Sequence, residues 1–417
     1  MKFIHAADIH LDSPLTGLSV YPDAPAQQLR SATRDAFTAL VDHAIAEEVD
    51  FMVIAGDLYD GTWRDYNTGI FFCKEMGRLK RAEIPVYVLF GNHDAESEMT
   101  RKLNLPDNVQ TFRANKPQTF KIDQLRVALH GQSFKDKETT HNLVTEYPAP
   151  VAGHFNIGVL HTALEGYSAH ASYAPCTLQE LQAKGYQYWA LGHVHEYQQW
   201  RGTPTIVFPG NLQGRNVREQ GRRGALLVTV DDAGEVSLDR IFIDILRWEH
   251  VRVDVSECET LDAVSRSIGD ALQRLLDVDG NVPRAVRVTV SGRSKAHGQL
   301  FGLEAQLRAE VLGQIASLGN ERLWLEKVRI ETQALLDESR MHERMDAFTD
   351  LQAILASAGS DQEFLAQLKA ELDPFVAKTS IDLQQLVPLI EQIRQGEIAG
   401  IVEQVAPGLL AHLAQGE

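Results

Sequence analysis

The sequence predicts an α/β fold in which two sheets pack together, followed by a small α+β domain and a helical C-terminal region. Three observations carry this. Short apolar runs alternate with amphipathic helical patterns over residues 1–245; a second rhythm of strand, helix, strand, helix, strand covers 246–333; and from 334 to 417 the apolar spacing is helical only. A chain of 417 residues exceeds what one core usually holds, which fits three domains.

A strand at residues 2–7 precedes a helical pattern over 27–48, in which Leu29, Ala32, Ala36, Phe37, Leu40, Val41, Ala44 and Ile45 share one face. FMVIA at 51–55 is the next strand, so the segment is a βαβ unit. A helical stretch covers about 66–82, and IPVYVLF (84–90) and FNIGVL (155–160) are strands. Thr177 and Glu180 form a capping box that opens a helix ending at Gly185, and YQYWAL comes after it as a strand. TIVF (205–208), ALLVTV (225–230) and VSLDRIFI (236–243) come next, the last two joined through Asp231, Asp232, Ala233 and Gly234 in a hairpin. These three predict the second sheet. In the small domain, HVRVDV, RAVRVTVSG and RLWLEKVRI are strands, and 259–277 and 299–317 are helices. In the tail, Leu383, Leu386, Val387 and Ile390 recur at helical spacing.

The bulk properties narrow the class. Cys73, Cys176 and Cys258 are odd in number, scattered and set among apolar residues, which excludes a disulfide framework or a cysteine-rich zinc site and fits buried thiols. No secretory leader pattern and no uncharged apolar run long enough to span a bilayer is found, so a cytoplasmic protein without a membrane partner is expected. The net charge of −17 argues against a nucleic-acid partner until its distribution is read. Residues 345–417 hold 11 acidic and 3 basic side chains, so the tail alone contributes −8. Several of the other carboxylates stand where divalent cations would offset them.

Those carboxylates sit just past the strands of the first domain, among other ligand-type side chains. FIHAA leads into Asp8 and His10; FMVIA into Gly56, Asp57 and Asp60; VYVLF into Gly91, Asn92, His93 and Asp94; IGVL into His161; WAL into Gly192, His193 and His195. The carboxyl ends of parallel strands line the functional crevice of an α/β sheet, so these groups should gather although they are far apart in sequence. His193 and His195, two residues apart in extended chain, point the same way. Mixed oxygen and nitrogen donors suit Mn²⁺, Fe or Zn²⁺ better than Ca²⁺. The donors exceed what one ion needs, and two ions ~3.5–4 Å apart would clamp an in-line displacement at phosphorus.

D-x-H, GD-x-x-D, GNHD, the lone His161 and GHVH, in this order over residues 1 to about 210, resemble the calcineurin-like metallophosphoesterase superfamily. HAADIHLDSPL, HTALEG and FPGNLQGRN resemble its DNA repair exonuclease branch of SbcD and YhaO type, YhaO more closely. The resemblance implies a two-sheet αββα sandwich with a capping domain. It implies that Asp8, His10 and His195 hold one ion, Asn92, His161 and His193 the other, and that Asp57 bridges them. It implies two divalent ions, Mn²⁺ first among them, and attack on a phosphodiester by a hydroxide bridging the pair. His93 matches the histidine that faces the scissile phosphate without binding metal. Asp60 stands where phosphatase branches carry an aspartate that orients this histidine, whereas archaeal nucleases of the family often carry a histidine. The branch further implies DNA as substrate and an SMC-like coiled-coil ATPase as partner; a homodimer stays open.

Other polar residues have simpler readings. His5 and His43 read as packing or surface residues, and Asp12 and Asp94 as acceptors that fix loops. The loop GRNVREQGRRG offers Arg215, Arg218, Arg222 and Arg223 as contacts to a phosphate backbone, or as a solvated arginine loop. No G-x-x-x-x-G-K-[ST] motif occurs, so an ATP-driven step would need another chain. Two alternatives stand beside the exonuclease: a phosphatase or phosphodiesterase on other substrates, and a scaffold for the ATPase. The helical tail, residues 345–417, is expected either to dock the ATPase or to pack as a helical subdomain on its own chain.

Overall fold

In a computed structural model of the chain, strand β1 (Lys2–Ala6) sends alternate residues into two different cores: Ile4 and Ala6 to one side, Phe3 to the other. The structure describes residues 1–15, 18, 26–60, 66–96, 104–164, 173–277, 282–300, 302–318, 322–334, 353–355, 357–376 and 388–415. They form two compact units. One comprises Met1–Glu249, Gly280–Val286 and Glu321–Glu326, the other His250–Asp279, Arg287–Asn320 and Lys327–Glu417.

The first unit is built in four layers. Outermost lie helices α1 (Ala26–Ala46) and α2 (Tyr66–Arg81), whose Ala36, Phe37, Leu40, Phe72 and Met76 cover one face of the first sheet. That sheet runs β12-β11-β1-β2-β3-β4, with β2 (Phe51–Ala55), β3 (Val86–Leu89), β4 (Val109–Thr111), β11 (Gly224–Val230) and β12 (Val236–Phe242). The second sheet runs β5-β6-β7-β8-β10-β9, with β5 (Gln118–Ile122), β6 (Val127–Gly131), β7 (Phe155–His161), β8 (Tyr188–Gly192), β9 (Gln198–Trp200) and β10 (Thr205–Phe208). Between the sheets, Phe3, Phe51, Val53 and Leu89 meet Leu129, Ile157, Val159 and Tyr188. On the far side, Trp189, Leu191 and Ile206 pack with Leu143, Tyr147 and Leu181, the last from α4 (Leu178–Ala183). This is the αββα sandwich. The Thr177–Glu180 capping box is present and opens α4.

One sheet assignment differs from the sequence reading. β10 lies in the second sheet as expected, but β11 and β12 extend the first: β11 pairs antiparallel with β1, Phe3 opposite Val228 and His5 opposite Leu226. Local pattern reports that a strand is buried and says nothing of its partner, and β11 is nearly all buried, as suits an interior position in either sheet. The hairpin of β5 and β6, which completes the second sheet, has half-buried residues in β5 and gave no clear run.

A three-stranded sheet, β13-β14-β15, is formed by β13 (Arg247–Asp254), β14 (Arg284–Ser294) and β15 (Leu323–Ala334), most of whose residues fall in the second unit. Helices α5 (Leu261–Asp277) and α7 (Glu304–Ser317) bury Val264, Ile268 and Leu272, and Leu307, Val311 and Ile315, at helical spacing; a short α6 (His297–Leu300) precedes α7. Beyond them α8 (Gln362–Val376), α9 (Pro388–Gln395) and α10 (Ile398–Gln415) gather Val376, Ile390, Ile393, Ile398, Ile401 and Val402 into a cluster of their own. Leu383, Leu386 and Val387 lie outside the described residues. No helix among the described residues is long and apolar enough to cross a membrane.

One polar side chain stands inside this frame. His5, fully buried on β1, places Nδ1 2.9 Å from the Tyr188 hydroxyl and Nε2 3.1 Å from the Leu191 carbonyl oxygen. Burial, opposed only in part by the Leu191 bond, lowers its pKa from 6.5 to about 3. As pH falls from 6.5 toward 3 the unfolded chain takes up a proton that the folded chain refuses, so the stability that neutral His5 supports is complete above this window and is lost down through it. We expect His5→Gln to reduce the stability lost between pH 7 and pH 5 by ~2 kcal/mol, measured by urea unfolding at both pH values. Equal losses in variant and wild type would remove His5 from this role.

Candidate metal centre

Each strand that points at the centre stops, and the chain turns there. β1, β2 and β3 are parallel neighbours in one sheet, β7 and β8 in the other. Asp8 and His10 therefore come after β1, Asp57 and Asp60 after β2, and Asn92 and His93 open α3 (Asn92–Glu96) after β3, while His161 ends β7 and His193 and His195 come after β8. Donor atoms of Asp8, His10 and His195 lie within 4.8 Å of one another, as do those of Asp57, His161 and His193. Asn92 Oδ1 is 3.0 Å from His161 Nε2. Asp57 Oδ2 stands between the two groups, 3.4 Å from His161 Nε2 and 3.9 Å from His10 Nε2. A third group, His10, Asp60 and His93, meets the same distance limit.

The backbone is bent hard to achieve this. Asp8, His10, Asp57 and His193 have φ of 50°, 46°, 51° and 99°, values that L-residues rarely adopt and that cluster at functional sites. Two glycines permit the close approach. A Cβ on Gly91 would sit 2.4 Å from Asp57 Oδ1, and one on Gly192 would sit 1.9 Å from the Ala55 carbonyl oxygen. Backbone N–H groups hold the carboxylates in turn: His93 N donates to Asp57 Oδ1 at 3.0 Å, and His193 N donates to Asp8 Oδ2 at 3.0 Å. Asp94 accepts from the backbone of Leu58, Tyr59 and Gly91, tying the loop after β2 to that after β3, while Asp12 accepts from Arg34 and Thr68.

The donor set fits divalent cations. Asp8 and Asp57 are both about 1% exposed. Burial, with the charge of Asp57, raises Asp8 against the pull of His195 and His161. Burial would also raise Asp57, but His161, His10 and His93 outweigh it and hold that carboxyl well below the usual range. Burial would lower His161, yet the charges of Asp57 and Asp8 and the Ala55 carbonyl prevail and raise it to about 9. The place thus draws positive charge. His10 Nε2 and His195 Nε2 face each other at 3.3 Å, and His10 Nδ1 is buried without a hydrogen-bond partner. His161 Nδ1 lies 3.0 Å from the Ala55 carbonyl oxygen, which can only accept, so Nε2 is the nitrogen turned to the centre. Imidazole and carboxylate donors converging in a buried place are what a borderline divalent ion binds.

His93 is held differently. Its Nδ1 is 3.1 Å from Asp60 Oδ1, and Asp60 Oδ2 accepts from the Ser13 hydroxyl at 2.9 Å. The His93 bond lowers Asp60 despite partial burial; burial would lower His93, but the Asp60 bond and the charges of Asp57 and Asp60 raise it. About a third of the His93 side chain remains exposed, against 1% or less for His10 and His161.

Sequence reading missed Glu219, which lies within the loop GRNVREQGRRG. Glu219 Oε1 is 2.8 Å from His195 Nδ1, and Oε2 accepts from Arg215 N at 2.7 Å and Asn211 Nδ2 at 2.8 Å. Burial would raise it, but His195 and Arg215 hold it down at about 2. A carboxylate on the far nitrogen of a ligand-type histidine fixes the ring and its tautomer. The four arginines also part company. Arg223 is buried, donating to the His195 and Gln220 carbonyls, Asn211 and Glu196, so its terminal nitrogens are committed to the chain and not open to a phosphate backbone. Arg215 lies beside the centre, near Ser13, His195 and Glu219; Arg218 and Arg222 are exposed.

The calcineurin-like phosphoesterase family matches residues 1–197, and the middle domain of the metallophosphoesterase YhaO matches residues 248–333. The uncharacterized metallophosphoesterase YhaO of Bacillus subtilis (strain 168) is 33% identical over 296 residues, 70% of this chain and 72% of that protein. The DNA double-strand break repair protein Mre11 of Methanopyrus kandleri is 24% identical over 272 residues, and that of Sulfurisphaera tokodaii 26% over 229. These alignments cover 58% and 51% of this chain and 57% of either Mre11 protein. With both its sandwich and its small domain matched, the chain belongs to the calcineurin-like metallophosphoesterases and carries the YhaO-type middle domain.

Proposed function

We propose that this metallophosphoesterase is a dimetal phosphodiesterase acting as a DNA exonuclease in repair, in company with an SMC-like ATPase. The observation that carries the phosphodiester reading is His93, held by Asp60 at the edge of a buried donor set and more exposed than the imidazoles within it. Asp8, His10 and His195 would hold one divalent ion, Asn92, His161 and His193 the other, and Asp57 would serve both. Mn²⁺ is the first choice for this donor set, with Fe and Zn²⁺ as alternatives. Bound ions supply an activated water and neutralise charge at phosphorus. His93, oriented through Nδ1 by Asp60, stabilises the charge growing on the phosphate or gives a proton to the leaving oxygen. Glu219 keeps His195 turned inward, and Arg215 adds a positive charge beside the centre. The likeness to two DNA double-strand break repair proteins supports DNA as substrate. Exposed Ile354, Phe364 and Val405 on the C-terminal helices support a partner surface there.

Substitutions separate these roles. Asp57→Asn should hold at most one metal per chain and lose about 100-fold or more of its activity, since one carboxylate serves both ions; elemental analysis beside turnover checks it, and two metals with normal turnover would refute the bridging role. His93→Ala should keep both metals and lose ~10²–10⁴-fold in kcat on end-labelled DNA and on a generic phosphodiester alike. Loss of metal instead would place His93 in the His10–Asp60 group as a ligand. Phe364→Glu should weaken binding of the SMC-like ATPase by about 30-fold or more, as expected of a central aromatic contact, without changing metal content; unchanged affinity in a pull-down titration would move the docking surface elsewhere.

A further inference from the structure

Asp60 orients His93 with one oxygen, and a carboxylate can swing unless its second oxygen is held as well. Ser13 holds it. Ser13, 6% exposed in the loop after β1, donates its hydroxyl proton to Asp60 Oδ2 at 2.9 Å, and its oxygen accepts in turn from Arg215 Nη1 at 3.5 Å. The other terminal nitrogen of Arg215, Nη2, lies 3.3 Å from Glu219 Oε1, the same oxygen that stands 2.8 Å from His195 Nδ1. One guanidinium therefore touches the supports of both imidazoles. The loops after β1, β2 and β8 and the loop between β10 and β11 meet in this chain of contacts.

The direction of each bond follows from the chemistry of its members. Arginine only donates, so Ser13 and Glu219 accept from it, and the serine proton is left to point at Asp60. The His93 bond lowers Asp60 against its burial, and the Ser13 bond and the charge of Arg215 lower it further, so Asp60 is an ionised acceptor. His93 Nδ1 and His195 Nδ1, each facing a carboxylate oxygen, are then the N–H positions, which places Nε2 on the far side of either ring. A planar fork reaches both supports at once, as a lysine ammonium could not. We propose that Ser13 is a positioning residue that acts on the reaction through Asp60 and His93, and that Arg215 links it to the carboxylate behind His195, so that the phosphate-facing ring and the metal-side ring are set by one hydrogen-bonded chain. The assignment rests on the phosphodiesterase reading, in which His93 acts on the phosphate, and it is independent of whether the substrate is DNA.

The test uses the full chain with Mn²⁺, bis(p-nitrophenyl) phosphate as the phosphodiester, and elemental analysis of each variant. Ser13→Ala should keep the metal content and KM of wild type and lose about tenfold or more in kcat, the scale of removing a partner behind a site histidine. Ser13→Thr, which keeps the hydroxyl, should recover most of that loss. In a His93→Ala background the Ser13→Ala change should cost less than about twofold, because a residue that acts through His93 has nothing left to act on. Arg215→Lys should lower kcat as well, and its loss and that of Ser13→Ala should not multiply when the two are combined, since both cut the same chain of bonds. Wild-type kcat in Ser13→Ala, an equal loss with and without His93, or equal losses in the alanine and threonine variants would overturn the positioning role and leave the phosphodiesterase reading standing. Loss of metal from Ser13→Ala would overturn it too, by making Ser13 a support of the loop that carries Asp8 and His10. Should Ser13→Ala not fold, Arg215→Lys carries the same comparison with and without His93. Failure of metal-loaded wild type to cleave any phosphodiester would overturn the phosphodiesterase reading and the positioning role together.

Discussion

Asp8 and Asp57, two carboxylates almost fully enclosed where two sheets meet, set the terms for everything around them. An ionised carboxylate taken out of water is strongly unfavourable unless charge and hydrogen bonds meet it. Each has both. His193 N bonds Asp8, His93 N bonds Asp57, and imidazoles crowd the open sides. The strand ends turn where they do because those N–H groups must reach those oxygens, and the left-handed backbone at four of these residues is the geometric result.

Left-handed backbone at a residue with a Cβ costs roughly 1–2 kcal/mol each time. The strain persists because the elements on either side leave it no room to relax. β1, β2 and β3 are locked by parallel pairing, and β7 and β8 likewise, with large aromatic residues such as Phe3, Phe51 and Tyr188 filling the gap between sheets. A divalent ion binding only the folded arrangement would add to its stability by mass action. The sandwich is thus a rigid frame holding a centre that would not hold itself.

The same constraint decides which parts of the molecule were legible in the sequence. A run such as FMVIA ending in GD, or WAL ending in GHVH, is readable because the strand must be apolar on both faces and the next residue must not be. Asn92, His161 and Asp57 could be found in this way, each at the end of a buried strand. Which strands share a sheet could not, since β11 pairs with β1 across more than two hundred residues and no local pattern records that. Glu219 was equally invisible. Its surroundings in sequence are arginines, and its real neighbour, His195, lies twenty-four residues away on a different turn.

The arginine loop shows why equal-looking residues had to separate. Arg223 is drawn inward because the His195 carbonyl, Asn211 and Glu196 offer acceptors at the base of β11, and its burial is tolerable only with its guanidinium bound to them. Glu219, four residues earlier, is drawn in by His195 Nδ1 and by Arg215. The loop is therefore pinned at two points to the GHVH turn, and its geometry and that of His195 cannot vary independently. Between those pins Arg222 is left on the outer side, where Phe242 receives it. A loop with no such bonds could be loose; this one fixes the ring of a ligand-type histidine, so any substitution that shifts Glu219 or Arg223 must be felt first at His195.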